Sequence, residues 1–168
     1  MAELDRPLDV VHVHLGLGPE NGGEHLSRLP ILTRLCEEQA RLGARVTVLG
    51  RHHRDETIEA GGVTYLLRRD HPFRPLPGPL TRCLPIYRLA RDLRPDVVHF
   101  NGFLFPLQLA ELSAWLPPRT VLLAQHHDER PGGPLKALTQ RLCLPRADAF
   151  LFSAAALADE WRRAGIPD

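Results

Sequence analysis

The chain has 168 residues, of which 43% are apolar and 24% charged, and its formal net charge is +1. This composition is typical of one globular domain with a buried core, and it excludes a disordered or fibrous chain. A net charge so close to zero argues against a nucleic-acid-binding protein, because such proteins concentrate basic residues on one face. The three cysteines are widely separated and have apolar neighbours, which argues against a disulfide framework and favours a reducing, cytoplasmic location.

The N-terminal residues include acidic side chains and lack an apolar segment, so we expect no signal peptide. The most apolar zone, Phe100 to Leu116, is interrupted by polar residues and falls short of the about 20 apolar residues that cross a bilayer. We therefore expect a cytoplasmic protein. Peripheral contact with the cytoplasmic face of a membrane stays open, since one predicted helix carries a run of arginines whose alternative role is a solvated face. These are Arg82, Arg88, Arg91 and Arg94.

Apolar, β-branched runs alternate along the chain with segments of helical periodicity. The predicted strands are Val10 to Leu15, Arg45 to Leu49, Val63 to Leu67, Asp96 to Phe100, Thr120 to Ala124 and Ala147 to Phe152. The predicted helices are Ser27 to Leu42, Leu80 to Leu93 with a kink or late start at Pro85, Leu104 to Leu116, Pro134 to Leu144 and Ala154 to Ala164. Of the connections, Arg51 to Ala60 is predicted to be a polar loop with solvated His52 and His53, and the proline-rich stretch Asp70 to Pro79 an extended surface segment.

Strands that are apolar on both faces and separated by helices predict an α/β domain with a doubly wound, mostly parallel, Rossmann-like sheet. In such sheets, ligands bind beyond the carboxyl ends of the strands. This rule places three turns around one cleft: the loop Gly16 to Gly23, the turn Asn101-Gly102 and the turn His126 to Asp128.

The loop after the first strand carries Gly16, Gly18, Gly22 and Gly23 and leads into a helix. Glycines let backbone amides approach a ligand, and a helix N-terminus favours an anion, so the loop indicates a phosphate site; the alternative is a plain tight connection. A dinucleotide fingerprint would need a third glycine where Asn21 stands and an acidic residue after the second strand. A Rossmann-type oxidoreductase is therefore the less favoured alternative.

Histidines are frequent in the predicted strands and turns. The adjacent His126 and His127 point apart on an extended backbone and, with Asp128, lack the helical spacing typical of a metal site, so we expect no metal. We interpret His126 as structural. The remaining strand histidines are expected to be buried and hydrogen-bonded, not ligands: His12, His14 and His99.

Five short pieces then occur in a characteristic order. They are Asn21-Gly22-Gly23-Glu24, Leu42 to Leu49, Arg94 to His99, the strand leading into His127-Asp128, and Ala147 to Ser153 with Ala164 to Pro167. Together they resemble the N-terminal half of a GT-B glycosyltransferase, specifically the family 4 group of retaining nucleotide-sugar enzymes.

The resemblance implies a two-domain enzyme whose active site lies between two Rossmann-like halves. Residues 1–168 would form the acceptor-side domain, and the donor-binding domain is absent from this chain. The enzyme would transfer a sugar from a nucleoside-diphosphate sugar to a hydroxyl of an acceptor, which is a sugar, lipid or small molecule. It would need no cofactor besides that co-substrate, and this half alone would be nearly inactive. The alternative is a non-catalytic, partner-binding subunit or half of a split or degenerate transferase.

The resemblance also assigns roles to individual residues. Gly22 and Gly23 would offer backbone amides to the donor diphosphate, and His127 would be catalytic, facing the transferred sugar. Four residues would line the acceptor pocket: Asn21, Asn101, Gly102 and Asp128. Pro30 departs from the family pattern, because the family helix usually runs uninterrupted there.

Overall fold

The computed structural model describes residues 6–15, 30–70, 78, 80–126, 133–163 and 165. Within them one sheet contains the strands β1 (Asp9–His14), β2 (Arg45–His52), β3 (Glu56–Ala60), β4 (Val63–Arg69), β5 (Val97–Asn101), β6 (Val121–Gln125) and β7 (Ala149–Leu151). The helices are α1 (Pro30–Arg41), α2 (Leu84–Leu93), α3 (Pro106–Trp115), α4 (Pro134–Cys143) and α5 (Ala155–Arg163), and one 3₁₀ turn (Leu144–Arg146) follows α4.

The strands lie in the order β3-β4-β2-β1-β5-β6-β7. Every neighbouring pair is parallel except β3 and β4, which are antiparallel. Without β3, this is the strand order 3-2-1-4-5-6 of doubly wound nucleotide-binding sheets. The predicted fold class is confirmed, and the predicted elements agree with the observed ones except in the two regions below.

The prediction of a polar loop from Arg51 to Ala60 is wrong. β2 continues to His52, and β3 then forms a hairpin with β4 through Gly61 and Gly62, whose φ angles of 58° and 76° suit glycine. β3 lies at the edge of the sheet and alternates polar residues with a half-buried Ile58, so its composition resembles that of a loop.

The helix predicted from Leu80 begins later. α2 starts at Leu84 with Pro85 in its first turn, where a missing amide hydrogen costs no intrahelical bond. The late start at Pro85 is thereby confirmed, and Leu80 is 86% exposed instead of packing on the sheet. Similarly, Leu42 lies beyond the last residue of α1 and is 76% exposed.

The two faces of the sheet are covered by different helices. On one face, α1 packs against β2 and β4 in a small cluster of Leu32, Cys36, Val46, Val48, Val63 and Tyr65. On the other face, α2, α3 and α5 bury a larger cluster centred on β1, β5 and β6. Right-handed crossovers in opposite directions from β1 account for this division.

The cysteines Cys36, Cys83 and Cys143 are free and buried, as expected from the sequence. Burial raises the pKa of Cys36 to about 12 and that of Cys83 to about 11, so both remain neutral thiols at physiological pH. No helix in the described part of the chain is both long and apolar enough to cross a membrane.

Candidate functional site

The carboxyl edge of the parallel strands is the candidate site. The strand registers put Leu15, Gly102 and His126, each one residue beyond the paired residues of β1, β5 and β6, in one row. Neighbouring strands are about 4.8 Å apart, so Leu15 and His126 lie about 10 Å from each other across Gly102. The segments 16–29 and 127–132 therefore both leave from this edge.

Those two segments hold most of the predicted site residues. Asn21, Gly22, Gly23, His127 and Asp128 lie outside the described residues, so their roles stay predictions. Asn101 and Gly102 are the predicted site residues that the structure describes.

Asn101 and Gly102 connect the ends of three strands. The buried Asn101 side chain donates through Nδ2 to the carbonyl oxygens of Val13, at 3.4 Å, and of His99, at 3.2 Å. The Gly102 amide donates to the carbonyl oxygen of Gln125 at 2.9 Å, and its φ of 100° favours glycine. These bonds tie together the ends of β1, β5 and β6; the predicted contact of both residues with an acceptor is a separate matter and stays a prediction.

Two buried histidines lie beneath the edge. The rings of His12 and His99 have centroids 4.6 Å apart, and His12 Nε2 lies 2.7 Å from Oε1 of Gln39, an oxygen that can only accept. His12 therefore carries its proton on Nε2. Burial lowers the pKa of His12, which keeps the ring neutral at pH 7. Both residues are core histidines, as predicted.

His126 is held by aromatic side chains. Its ring lies 5.4 Å from that of Phe103 and 5.6 Å from those of Phe152 and Trp161, measured between centroids. Its amide donates to the carbonyl oxygen of Leu151 at 2.9 Å. The structural interpretation of His126 is confirmed, and the packing immobilises the residue that precedes His127.

A buried ion pair at this edge was missed by the sequence reasoning, which placed its members at the starts of two solvated connections. Arg51, at the end of β2, has a fully buried side chain, and its Nε lies 2.5 Å from Oδ2 of Asp70, which directly follows β4. Its Nη1 also lies 3.5 Å from the carbonyl oxygen of Leu15. The pair thus contacts the residue from which the glycine loop departs. The signal in the sequence was the two-residue alternation of β2, which puts Arg51 on the same buried face as Leu49.

His52 also corrects a prediction, because it is 1% exposed instead of solvated. Its Nδ1 lies 3.2 Å from the carbonyl oxygen of Arg54, and burial lowers its pKa. His53 is exposed, as predicted. Within the described ranges, no three histidine, cysteine, aspartate or glutamate side chains come together closely enough to hold a metal ion.

Comparison with known proteins agrees with this geometry. Residues 30–168 match the family described as Glycosyl transferase 4-like domain. Among solved structures, a sucrose-phosphate synthase from Thermosynechococcus elongatus superposes with a TM-score of 0.61 at 16% identity, covering 94% of this chain and 45% of that one. The chain thus spans less than half the length of that synthase. No match was found among curated proteins. Since the family match covers most of the chain, this chain belongs to the Glycosyl transferase 4-like domain family, and its sheet is a Rossmann-like half of a GT-B fold.

Proposed function

We propose that this domain is the acceptor-binding N-terminal half of a retaining glycosyltransferase that uses a nucleoside-diphosphate sugar. Family membership supports transferase activity. The observation that carries the proposal is the common row of Leu15 and His126 at the carboxyl edge. From this row the two segments that hold the candidate residues start about 10 Å apart, which a diphosphate and one sugar ring can bridge.

The proposed role of the glycine loop is to stabilise the leaving group. Departure of a nucleoside diphosphate develops negative charge, and the amides of Gly22 and Gly23 would donate hydrogen bonds to it. One preorganised donor of this kind contributes about 3 kcal/mol to transition-state stabilisation. The contact of Arg51 with the carbonyl oxygen of Leu15 supports this role, because it holds the residue before the loop.

The proposed role of His127 is to contact the transferred sugar from the acceptor side. The buried ring of His126 and the bond from Gly102 to Gln125 hold the chain immediately before it. Asn21, Asp128 and the Asn101-Gly102 turn would form the acceptor pocket. Such a site requires no metal, since amides and a helix N-terminus carry the charge stabilisation.

The donor half completes the proposed enzyme. In this proposal it binds the nucleotide sugar and closes over the carboxyl edge described here, so that residues 1–168 alone transfer little or no sugar. The acceptor is a sugar, a lipid or a small molecule.

The test is His127→Ala in the full-length protein, with release of nucleoside diphosphate measured over a panel of UDP- and GDP-sugars and acceptors. We expect turnover to fall about 100-fold or more, the scale of losing a positioned catalytic group. The circular dichroism spectrum should not change. His53→Ala, which removes an exposed histidine of the β2–β3 turn, is the matched control and should keep full turnover.

Unchanged turnover in His127→Ala would overturn the catalytic assignment. Absence of transfer with every donor, or thermal stabilisation by NAD or NADP but by no nucleoside diphosphate, would favour the non-catalytic or oxidoreductase alternative. An NMR spectrum showing inversion at the anomeric carbon would overturn the retaining mechanism alone.

A further inference from the structure

Helix α4 presents leucines to solvent. Leu135, Leu138 and Leu142 are 80%, 53% and 68% exposed, and positions i, i+3 and i+7 lie on one side of a helix. The opposite side of α4 packs inward through Gln140 and Cys143. We call these three residues the leucine stripe. An apolar helical face that contacts nothing in its own domain indicates a partner.

The leucine stripe continues into an apolar cavity. A cavity of about 380 Å³ lies between the starts of α3 and α4, and its lining includes Leu104, Leu107 and Leu135. Leu104 is itself 44% exposed, so the apolar surface extends beyond α4. Gln108 also lines the cavity, but its amide already donates to the carbonyl oxygens of Gly78 and Thr81. The cavity therefore offers mainly apolar contact.

The charges around the leucine stripe have one sign. Residues 133–147 include Lys136, Arg141 and Arg146 and no acidic residue. Lys136 lines the cavity beside Leu135, and neither it nor Arg146 forms an ion pair in the described part of the chain. This surface combines exposed leucines with available positive charge.

Helix α2 and the residues before it, which carry the arginine run noted in the sequence, lack this combination. Arg82 pairs with Glu111 at 2.8 Å, and Arg91 pairs with Asp92 at 2.8 Å. Arg91 also lies over the Trp115 ring, 5.4 Å from its centroid. Carboxylates thus compensate two of these arginines, which weakens attraction to an anionic surface.

We propose that the leucine stripe and the adjoining cavity rim dock on an anionic phospholipid bilayer. The leucines enter the boundary between headgroups and acyl chains, and Lys136 and Arg146 face lipid phosphates, as in interfacial amphipathic helices. A second copy of the chain fits less well, since three leucines and Leu104 fall short of the about 800 Å² per partner of a stable protein interface. Because α4 starts at the carboxyl edge, docking holds that edge at the membrane surface. The proposal does not depend on the transferase chemistry.

The experiment measures co-sedimentation of the full-length protein with phosphatidylcholine vesicles, with and without about 30 mol% phosphatidylglycerol, at low salt. We expect binding to the anionic vesicles, with a partition coefficient that falls about tenfold or more in Leu135→Ser/Leu138→Ser. Lys136→Gln should lower it about fivefold. Leu42→Ser, a change of an equally exposed leucine after α1, should leave it unchanged. Equal thermal midpoints should show that all variants fold.

Three outcomes would overturn the proposal. One is failure of the wild-type protein to sediment with anionic vesicles. Another is a loss in Leu42→Ser as large as that in the double variant, which would indicate non-specific adsorption. The third is a wild-type dimer that the double variant turns into a monomer without any vesicle binding, which would assign the leucine stripe to a second copy of the chain.

Discussion

The two sides of the sheet close the same carboxyl edge by different forces. On the side of β2 and β4, the edge ends in the buried ion pair of Arg51 and Asp70. On the side of β5, β6 and β7, it ends in an aromatic cluster around Phe103 and a buried His126. An ion pair out of water depends on both partners, whereas packing loses stability in proportion to the contact removed. The first side should therefore respond to mutation abruptly and the second gradually.

The largest effect is expected from Asp70→Ala. This change leaves Arg51 charged, buried and without its carboxylate, which costs about 3 to 5 kcal/mol of unfolding free energy. The double variant Arg51→Met/Asp70→Leu should recover most of that loss, since it removes both charges. Urea unfolding measures both. A loss in Asp70→Ala no larger than in Arg45→Met, which breaks the exposed pair of Arg45 with Asp9, would contradict the abrupt response.

A smaller effect is expected on the aromatic side. The Phe103 ring lies 5.0 Å from that of Trp161 and 5.7 Å from that of Phe150, between centroids. Phe103→Leu keeps an apolar side chain but loses these edge contacts, so we expect a loss of about 1 to 2 kcal/mol in urea unfolding. Leu104→Ala, at the exposed neighbouring position, is the control and should change little. A loss as large as that of Asp70→Ala would remove the distinction between the two sides.

The smallest effect concerns the junction of the two sides, where His12 of β1 lies against His99 of β5. Burial lowers the pKa of His12, and the bond to Gln39 offsets this in part. The unfolded chain therefore takes up a proton at His12 below about pH 6.5 while the folded chain does not, so the contribution of His12 to stability is present above that pH and is lost as pH falls.

The variant His12→Gln isolates this contribution. The difference in unfolding free energy between wild type and variant should shrink between pH 7.5 and 5.5, by at most about 1.4 kcal/mol for each pH unit below 6.5. Urea unfolding at several pH values measures it, and the other histidines largely cancel because both proteins contain them. A constant difference would show that His12 titrates alike in both states.

The predictions from sequence were accurate where local pattern decides structure. Apolar runs on both faces predicted the parallel strands, and the proline in the first turn of α2 predicted its late start. They failed at β3, because an edge strand with one solvated side has the composition of a loop. In the candidate site, the position of Asn101-Gly102 at the carboxyl edge was predictable from strand order. The bonds from Asn101 to Val13 and His99 were not, because they join residues far apart in the chain.

The sequence by itself determined the fold class, the family resemblance and the edge at which the candidate residues lie, since periodicity and turn residues act over a few neighbouring positions. Only the tertiary structure decided which polar residues are buried and with what partner. Arg51 and Asp70 read as solvated residues until β4 lies beside β2, and His52 as a loop residue until β2 extends through it. A buried charge is stable only next to its counterion, and strand order decides whether the two meet.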